Sequence, residues 1–244
     1  MYDDLDRPPL RVRALERTLS SDGWRVQLLA ETDSTNAVVA DRARAGEPAG
    51  LVVVAESQTA GRGRLDRSWV SPPRAGLTFS VLLRPAPAVL AWQSLLGGVA
   101  VARAVREVAQ VDAVLKWPND VLVEGKKLCG LLAEALVSGA VVLGIGLNVT
   151  TREDELPHGG ATSLQLVGAV TVDREPLLKA VLRHLALPAG PGDYRALCAT
   201  IGRRVRLELP GGAAVEGVAD AVDTGGRLVV NGVAYAAGDV VHLR

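Results

Sequence analysis

The sequence has few aromatic residues, a single methionine, two cysteines and no excess of charge of either sign. With aromatic residues at 3%, the aliphatic side chains of valine, leucine and alanine have to fill the interior. Cys129 and Cys198 are too few for a disulfide framework and lack the spacing of metal ligands, which predicts two reduced, buried thiols. The net charge of +0 argues against a general nucleic-acid-binding protein, because such proteins need an excess of positive charge.

Long apolar runs and targeting signals are also lacking. No run reaches the roughly 18 apolar residues that span a bilayer, so we expect no membrane segment. The N-terminal residues Met1–Asp4 have neither the basic region nor the apolar core of a signal peptide, which predicts a cytoplasmic protein. The residues before Glu31 leave no room for the helices and β-wing of a winged helix-turn-helix domain, so we expect no sequence-specific DNA binding.

The hydrophobic pattern in the first half of the chain predicts more strands than helices. Leu51–Ala55 is typical of a fully buried strand, and Gly76–Arg84 alternates apolar and polar residues as a half-buried strand does. The residues from Trp92 to Gln110 predict a helix with one apolar face that covers the sheet. Short apolar stretches follow at Val114–Leu115, Val121–Val123, Leu131–Ala133 and Val141–Leu143. The pattern indicates an α/β fold with a mixed sheet, hairpins and flanking helices rather than regular βαβ alternation.

The last quarter of the chain has a different pattern. A helix is predicted from Asp173 to about Leu187, and Pro188–Gly192 after it is a candidate domain boundary. From Ile201 onwards, short apolar stretches alternate with glycine turns, which is the signature of a small β-barrel. A unit of ~45 residues is marginal for independent folding, so we expect it to pack on the rest of the chain. We therefore predict a main domain, residues 1–198, and a small β-barrel domain, residues 199–244.

The segment Gly61–Trp69, which we call the arginine loop, combines the residues of an anion-binding loop. It places Arg62, Arg64 and Arg67 within six positions, and each guanidinium can pair bidentately with phosphate or carboxylate. Its two glycines let main-chain N–H groups approach the same oxygens. A basic surface turn and a nucleic-acid arm are the alternatives, and the neutral charge of the chain disfavours the second.

A cluster of small polar residues, Glu31–Asn36, precedes a helix that is predicted to run to about Arg44. Ser34 or Thr35 can cap this helix, but a cap needs only one such side chain. Three consecutive hydrogen-bonding residues at a helix N-terminus also suit a buried polar group of a ligand.

Charged residues surround a break in the strand that contains Leu115. Pro118 within Lys116–Asp120 cannot take part in a strand ladder, so the chain turns where these polar groups occur. Lys126 and Lys127 follow, and adjacent side chains on a strand point to opposite faces, so one of them is expected to point inward. A solvated surface pair is the alternative, and the apolar strands on either side weigh against it.

Five motifs resemble, in order and spacing, those of biotin protein ligases. They are Asp33-Ser34-Thr35-Asn36, Gln58-x-x-Gly61-Arg62-Gly63-Arg64, Lys116-Trp117-Pro118-Asn119-Asp120, Lys127-Leu128-x-Gly130 and Gly144-x-Gly146-x-Asn148. The resemblance covers roughly Glu31 to the C-terminus, and the joint occurrence of the five motifs is highly specific. It implies an α/β (α+β) catalytic domain with a mixed sheet and a small C-terminal SH3-like β-barrel. It further implies a monofunctional bacterial member without a DNA-binding domain.

The resemblance implies a two-step reaction. The carboxylate of biotin attacks the α-phosphorus of ATP to give biotinyl-5′-AMP and pyrophosphate, and a lysine of the biotin carboxyl carrier domain of acetyl-CoA or acyl-CoA carboxylase then takes the biotinyl group. ATP and biotin are the implied substrates. Mg²⁺ is implied to bind through the ATP phosphates, with Asp120 as a possible protein ligand. The expected assembly is a monomer or a weak homodimer.

The resemblance also implies roles for individual residues. The catalytic residues would be Lys127, Arg62, Arg64 and Asp120. The biotin-binding residues would be Ser34, Thr35, Asn36, Gln58, Arg62, Gly63, Arg64, Lys127, Gly130 and Leu132. The residues that bind ATP or the adenylate would be Arg64, Arg67, Trp69, Lys116, Asn119, Asp120, Gly146 and Asn148.

Two other classes of function are open from the sequence. A lipoate ligase or octanoyltransferase shares the catalytic fold, but neither is expected to combine the Gly-Arg-Gly-Arg and Lys-Trp-Pro-Asn-Asp motifs. A non-catalytic module that binds biotin or nucleic acid would account for the arginine loop, but it would not account for Lys127 and Asp120. Biotin-dependent exchange of pyrophosphate into ATP distinguishes a biotin protein ligase from both of these alternatives.

Overall fold

A computed structural model of the chain describes residues 7–65, 67–157 and 159–243. These residues form five α-helices and twelve β-strands. The helices are α1 (Val12–Leu19), α2 (Thr35–Arg44), α3 (Gln93–Ala104), α4 (Arg174–Ala186) and α5 (Pro191–Leu197). The strands are β1 (Arg25–Leu29), β2 (Leu51–Ala55), β3 (Gly76–Leu83), β4 (Val114–Lys116), β5 (Asp120–Val123), β6 (Lys126–Ala135), β7 (Val141–Asn148), β8 (Arg204–Glu208), β9 (Ala214–Val222), β10 (Leu228–Val230), β11 (Val233–Tyr235) and β12 (Asp239–His242). None of the helices in this part of the chain is long and apolar enough to cross a bilayer.

Seven strands form the main sheet, in the order β1-β2-β3-β7-β6-β5-β4. β1 and β2 are parallel and the other neighbours are antiparallel, so the predicted mixed sheet with hairpins is confirmed. Every residue of β2 and β7 is buried, which is why both appear in the sequence as apolar runs without alternation. The thiols of Cys129 and Cys198 are free and buried, also as predicted.

Helix α3 lies close to the main sheet because two adjacent glycines face it. A Cβ atom at Gly97 would lie 2.9 Å from methyl carbons of both Leu131 and Leu143, closer than packed carbon atoms come. A Cβ atom at Gly98 would lie 3.2 Å from a methyl carbon of Leu115. The missing side chains therefore let the helix backbone approach β4, β6 and β7 directly.

The regular part of α3 is shorter than its apolar face predicts. At Val105 the helix passes into a π-type turn that extends to Ala109, and Gln110 then adopts a left-handed backbone with φ of 56°. Val105 and Ala109 both stay buried in the turn. The apolar face is thus continuous across a change of helix type, which the side-chain pattern alone does not report.

Five strands form a second, antiparallel sheet near the C-terminus, in the order β11-β10-β9-β8-β12. Its buried face carries Val205, Leu207, Leu228, Val230 and Val240, each at most 3% exposed. The strand-rich C-terminal unit predicted from the sequence is therefore confirmed. Closure of these strands into an SH3-like barrel stays a prediction.

The linker predicted at Pro188–Gly192 is partly helical instead. α5 begins at Pro191, where the missing N–H of proline loses no helical hydrogen bond and its fixed φ suits the first turn. The first strand of the second sheet begins only at Arg204. The division into residues 1–198 and 199–244 stays a prediction.

Two indole side chains, one at the start of α3 and one in the hairpin of β4 and β5, bind the second sheet to the rest of the chain. Trp92 Nε1 donates to Thr224 O at 2.8 Å, and Trp117 Nε1 donates to Gly226 O at 3.0 Å. Both acceptors lie in the turn between β9 and β10, where Gly226 has a φ of +75° that favours glycine. Trp117 lies in the hairpin of β4 and β5, so its hydrogen bond connects the turn between β9 and β10 to that hairpin.

A buried ion pair joins α4 to the end of β2. Arg174 Nη1 lies 2.5 Å from Glu56 Oε2, and the two side chains are 6% and 8% exposed. Arg174 also donates to Pro8 O at 2.7 Å, and Glu56 accepts from Leu10 N at 2.8 Å. Both charges are therefore compensated inside the protein, as their burial requires.

Removal of this guanidinium should destabilise the fold strongly, because the Glu56 carboxylate would stay buried without its partner. We expect Arg174→Met to lower the free energy of unfolding by about 3–5 kcal/mol. Arg183→Met on the same helix is the control, since the Arg183–Glu107 pair is about half exposed. The control should lose less than about 1 kcal/mol. Urea denaturation measures both values, and equal losses would contradict this account.

Candidate active site

A cavity of about 520 Å³ lies between the main sheet and the second sheet. Every site residue predicted from the sequence lines it, namely Ser34, Thr35, Asn36, Gln58, Arg62, Gly63, Arg64, Arg67, Trp69, Lys116, Asn119, Asp120, Lys127, Gly130, Leu132, Gly146 and Asn148. Strands β8 and β12 of the second sheet add Glu208, Asp239, Val240 and Val241. The fold thus brings five motifs, spread between residues 33 and 148, into one site, and the role of each residue stays a prediction.

A lysine–aspartate ion pair lies in this cavity. In the hairpin of β4 and β5, Lys116 is opposite Asp120, and the Trp117–Pro118 peptide between them is cis. Asp120 Oδ1 lies 2.6 Å from Lys127 Nζ. Lys126 is exposed whereas Lys127 lines the cavity, as the alternation along a strand predicts. Burial lowers the pKa of the Lys116 ammonium, and the nearby Asp120 carboxylate opposes that shift.

The start of α2 is held by a side chain from a distant segment. Ser34 occupies the N-cap position but its side chain makes no capping hydrogen bond. Instead, Thr35 N donates to Gln58 Oε1 at 2.8 Å, and Thr35 Oγ1 lies 3.1 Å from the same oxygen. Ser34 is therefore at the N-cap position, as predicted, but the hydrogen bond that satisfies the free N–H group comes from Gln58 and not from a cap side chain.

Asn36 connects this helix to two strands of the sheet. Ser80 Oγ donates to Asn36 Oδ1 at 2.6 Å, and Asn36 Nδ2 donates to Glu134 Oε2 at 2.5 Å. A Cβ atom at Gly144 would lie 2.2 Å from Asn36 Oδ1, so only glycine leaves room for the amide. These partners hold the buried amide in place, and this wall of the cavity is a hydrogen-bonding surface with little net charge.

The arginine loop is fastened to both sheets. Arg62 Nη2 donates to Glu134 Oε2 of β6 at 3.0 Å, and Arg67 forms an ion pair with Asp239 of β12. Arg64 Nη1 lies 3.4 Å from both Asn119 Oδ1 and Gly238 O, and burial lowers the pKa of its guanidinium. The Arg62 guanidinium is thus directed to the Asn36 side of the cavity, while Lys127 pairs with Asp120. Asp66 of the loop lies outside the described residues.

Trp69 covers two glycines on neighbouring strands. Gly130 of β6 and Gly146 of β7 are partners across the ladder. A Cβ atom at Gly146 would lie 2.3 Å from the indole, and one at Gly130 would lie 3.3 Å from it. Trp69 Nε1 is buried and has no hydrogen-bond partner within the described part of the chain. The indole therefore offers a donor that a ligand can use.

Four site residues were missed from the sequence. Glu134 and Ser80 hold Asn36, and Asp239 and Glu208 contribute carboxylates from the second sheet. Glu134 could have been recognised, because it is a charged residue directly after the apolar run Leu131–Ala133 of a partly buried strand. Nothing in the local sequence of the other three residues indicates a site.

The cavity has an excess of positive charge although the chain as a whole is neutral. Five cationic side chains line it, Arg62, Arg64, Arg67, Lys116 and Lys127, against the three carboxylates Asp120, Glu208 and Asp239. This excess suits an anionic ligand. Among the described residues there is no group of three or more His, Cys, Asp or Glu side chains that could hold a metal ion by themselves.

Two family models match the chain. The model of the Biotin/lipoate A/B protein ligase family matches residues 28–149, and the model of the Biotin protein ligase C terminal domain matches residues 200–243. A relative named biotin–[acetyl-CoA-carboxylase] ligase, from Mycobacterium tuberculosis, is 43% identical over 261 aligned positions. The alignment covers 98% of this chain and 97% of the relative.

Solved structures of similar fold carry related names. The biotin protein ligase from Aquifex aeolicus in complex with biotin and ATP has a TM-score of 0.73 and 30% identity, and the match covers 90% of this chain and 99% of that one. The biotin protein ligase from Leishmania major in complex with biotinyl-5-AMP has a TM-score of 0.64 and 27% identity, over 90% and 98% of the two chains. The chain therefore belongs to the biotin/lipoate A/B protein ligase family, among its biotin protein ligases.

Proposed function

We propose that the protein is an ATP-dependent ligase that forms biotinyl-5′-AMP and transfers the biotinyl group to a lysine of a biotin carboxyl carrier domain. The observation that carries the proposal is a single cavity in which five cationic side chains adjoin a hydrogen-bonding wall. Relatives support it, since one is named biotin–[acetyl-CoA-carboxylase] ligase and similar structures contain biotin with ATP or biotinyl-5-AMP.

In the first step, a carboxylate oxygen of biotin forms a bond to the α-phosphorus of ATP, and the bond to pyrophosphate breaks. The two substrates are both anionic, so cations have to hold them together and stabilise the charge that develops on the phosphorus oxygens. We assign this task to Lys127, Arg62 and Arg64. Arg62 pairs with Glu134, and Lys127 pairs with Asp120. The anionic groups of the substrates therefore have to displace these carboxylates from the two cations.

Biotin's ring is neutral, and we assign it to the hydrogen-bonding wall. The residues proposed to bind it are Ser34, Thr35, Asn36, Gln58, Gly63, Gly130 and Leu132. The adenylate is proposed to lie towards Arg67, Trp69, Lys116, Asn119, Gly146 and Asn148. The unpaired Trp69 Nε1 supports the second assignment, because an acceptor of the ligand would satisfy this buried donor.

In the second step, the acceptor lysine attacks the carbonyl carbon of biotinyl-5′-AMP as a neutral amine. An amide bond forms, the bond between the carbonyl carbon and the phosphate oxygen breaks, and AMP leaves with the bonding electrons while the nitrogen loses a proton. Both steps need a site that excludes water, since a free mixed anhydride hydrolyses. The arginine loop, held over the cavity from both sheets, serves this purpose.

Mg²⁺ enters this proposal as the counter-ion of ATP. Mg²⁺ is usually held by substrate phosphates together with one or two carboxylates, and the cavity offers that donor set rather than a protein cage. Asp120 is the residue we assign to it. The ion would neutralise phosphate charge when bound.

A lipoate ligase or octanoyltransferase is the alternative within the family. The match of residues 200–243 to the C-terminal domain of biotin protein ligases favours biotin. Exchange of labelled pyrophosphate into ATP tests the assignment, and we expect it with biotin but not with lipoate or octanoate. Exchange with lipoate in place of biotin would contradict the proposal.

Three further features stay predictions. They are the domain boundary after residue 198, the cytoplasmic location, and a monomeric or weakly dimeric state. Size-exclusion chromatography with light scattering, with and without biotin and ATP, measures the last of these.

Lys127→Ala should remove most of the adenylation activity and leave the fold intact, because the ammonium is placed at the reacting anions. Removal of a group that stabilises developing charge costs about a hundredfold or more in rate. Lys126→Ala is the matched control, since Lys126 is its exposed neighbour on the same strand. Near-normal biotin-dependent pyrophosphate exchange in a folded Lys127→Ala protein would show that the assignment is wrong.

Arg64→Gly should loosen the hold of the arginine loop on the intermediate. Its guanidinium is the one of the loop that reaches both Asn119 of the hairpin and Gly238 of the second sheet. We expect the variant to release biotinyl-5′-AMP and to label lysines of unrelated proteins, whereas the parent labels one lysine of the carrier domain. Mass spectrometry of a mixture of carrier and bystander protein measures this. Equal selectivity of the two enzymes would count against the role.

The 244-residue chain should show no sequence-specific DNA binding. The residues described before Glu31 form one α-helix, a short 3₁₀ turn and a strand, which cannot supply a recognition helix with its supporting helices. In a gel-shift titration with biotin-operon-type promoter DNA, biotin and ATP, we expect only weak association that salt removes. A discrete complex at near-physiological salt would overturn this expectation.

A further inference from the structure

The N-terminal arm, residues 7–11, is packed into the protein although it lies outside the five motifs. Arg7 is 6% exposed. Its guanidinium donates to Thr150 O at 2.9 Å and forms an ion pair of 2.5 Å with Glu155. A buried guanidinium is stable only where its charge and its donors are satisfied. The contacts therefore join the arm firmly to the segment that follows β7.

This segment, which we call the clamp segment, comprises residues 149–157 and 159–163 and holds two site residues. Lys127 N donates to Gly160 O and Thr162 N donates to Lys127 O, both at 2.8 Å. Asn148 Nδ2 donates to Thr162 O at 3.0 Å. The clamp segment thus fixes the main chain of Lys127 and the amide of Asn148.

Glu155 connects the arm to the internal structure of the clamp segment. Its carboxylate accepts from Arg152 N at 2.9 Å and from Arg152 Nη2 at 2.7 Å, in addition to the contact with Arg7. The Arg7 guanidinium, aided by Arg152, holds the pKa of Glu155 below its usual range. Thr150 N donates to Ala75 O at 2.8 Å, so the other contact point of Arg7 is anchored to the main sheet.

We propose that Arg7 is a positioning residue for the adenylate side of the active site, because it holds the clamp segment in the place from which that segment fixes Lys127 and Asn148. This inference rests on the proposed ligase function. The biotin side should depend on Arg7 less, since of its residues the clamp segment holds Lys127, whereas Asn36 and Thr35 are held by Ser80, Glu134 and Gln58.

Kinetics of Arg7→Ala test the proposal. In biotin-dependent pyrophosphate exchange, we expect the KM for ATP to rise by about ten- to a hundredfold, because displacement of a positioned group by ~1 Å can cost about a hundredfold. The KM for biotin should rise less than the KM for ATP, because Lys127 contacts both substrates whereas Asn148 belongs to the adenylate side. Arg11→Ala is the matched control, since Arg11 ties the same arm to Glu175 of α4. It should leave both constants near those of the parent, and Arg7→Lys should recover part of the loss.

Hydrogen exchange without substrates gives a readout that does not depend on activity. In Arg7→Ala the amides of residues 159–163 should exchange faster, while those of residues 61–65 should not change. Equal rises in KM for ATP and biotin, or unchanged exchange at residues 159–163, would overturn the proposal. If Arg7→Ala does not fold, Arg7→Lys carries both measurements with the same criteria. The two proposals can fail separately. If the parent does not catalyse biotin-dependent pyrophosphate exchange, the ligase function is refuted. If hydrogen exchange of Arg7→Ala still rises at residues 159–163, the coupling of Arg7 to the clamp segment holds nevertheless.

Discussion

The charges around one cavity constrain the strands and the loop that line it. Five cationic side chains face it, and two like charges 4 Å apart repel by about 4 kcal/mol at an effective dielectric constant of 20. Carboxylates from three different strands offset this repulsion: Glu134 on β6 pairs with Arg62, Asp239 on β12 with Arg67, and Asp120 on β5 with Lys127. One of these carboxylates, Asp239, lies on the second sheet, so both sheets contribute to the charge balance of the site and the arginine loop has partners on either side of it.

The exposure of these ion pairs decides which of them a substrate can replace. Arg62 and Glu134 are 49% and 31% exposed, and pairs of this kind contribute only about 0–1 kcal/mol each. A triphosphate or carboxylate that offers several charge-assisted hydrogen bonds can therefore displace such a carboxylate partner. Arg174 and Glu56 form the opposite case, because both are buried and neither can be released without leaving an uncompensated charge. The first kind of pair belongs to the working site and the second to the framework that supports it.

Features with a local cause could be predicted from the sequence, and features with a distant cause could not. The alternation of Lys126 and Lys127, the apolar run of β2 and the turn at Pro118 each follow from a few adjacent residues, and the structure has them as predicted. The partners Glu134 and Asp239 lie 72 and 172 positions from the arginines that they bind, so no local pattern reveals which arginine each of them pairs with. The partner that satisfies Thr35 N at the start of α2 could not be predicted for the same reason, because this acceptor comes from a different segment.

The Gly144-x-Gly146-x-Asn148 motif shows how a weak sequence signal can have a steric cause. Alternate residues of a strand face the same side, so the three residues project towards the cavity together. At the first position the missing side chain makes room for the buried amide of Asn36, and at the second for the indole of Trp69, which also covers the partner glycine across the ladder. Gly144 therefore leaves space on the hydrogen-bonding wall, and Gly146 leaves space on the wall assigned to the adenylate. Because the two glycines are two positions apart, the two walls lie next to each other along the strand. The motif therefore needs no third glycine of a dinucleotide-binding turn, since its glycines make room for side chains and do not form a turn around phosphates.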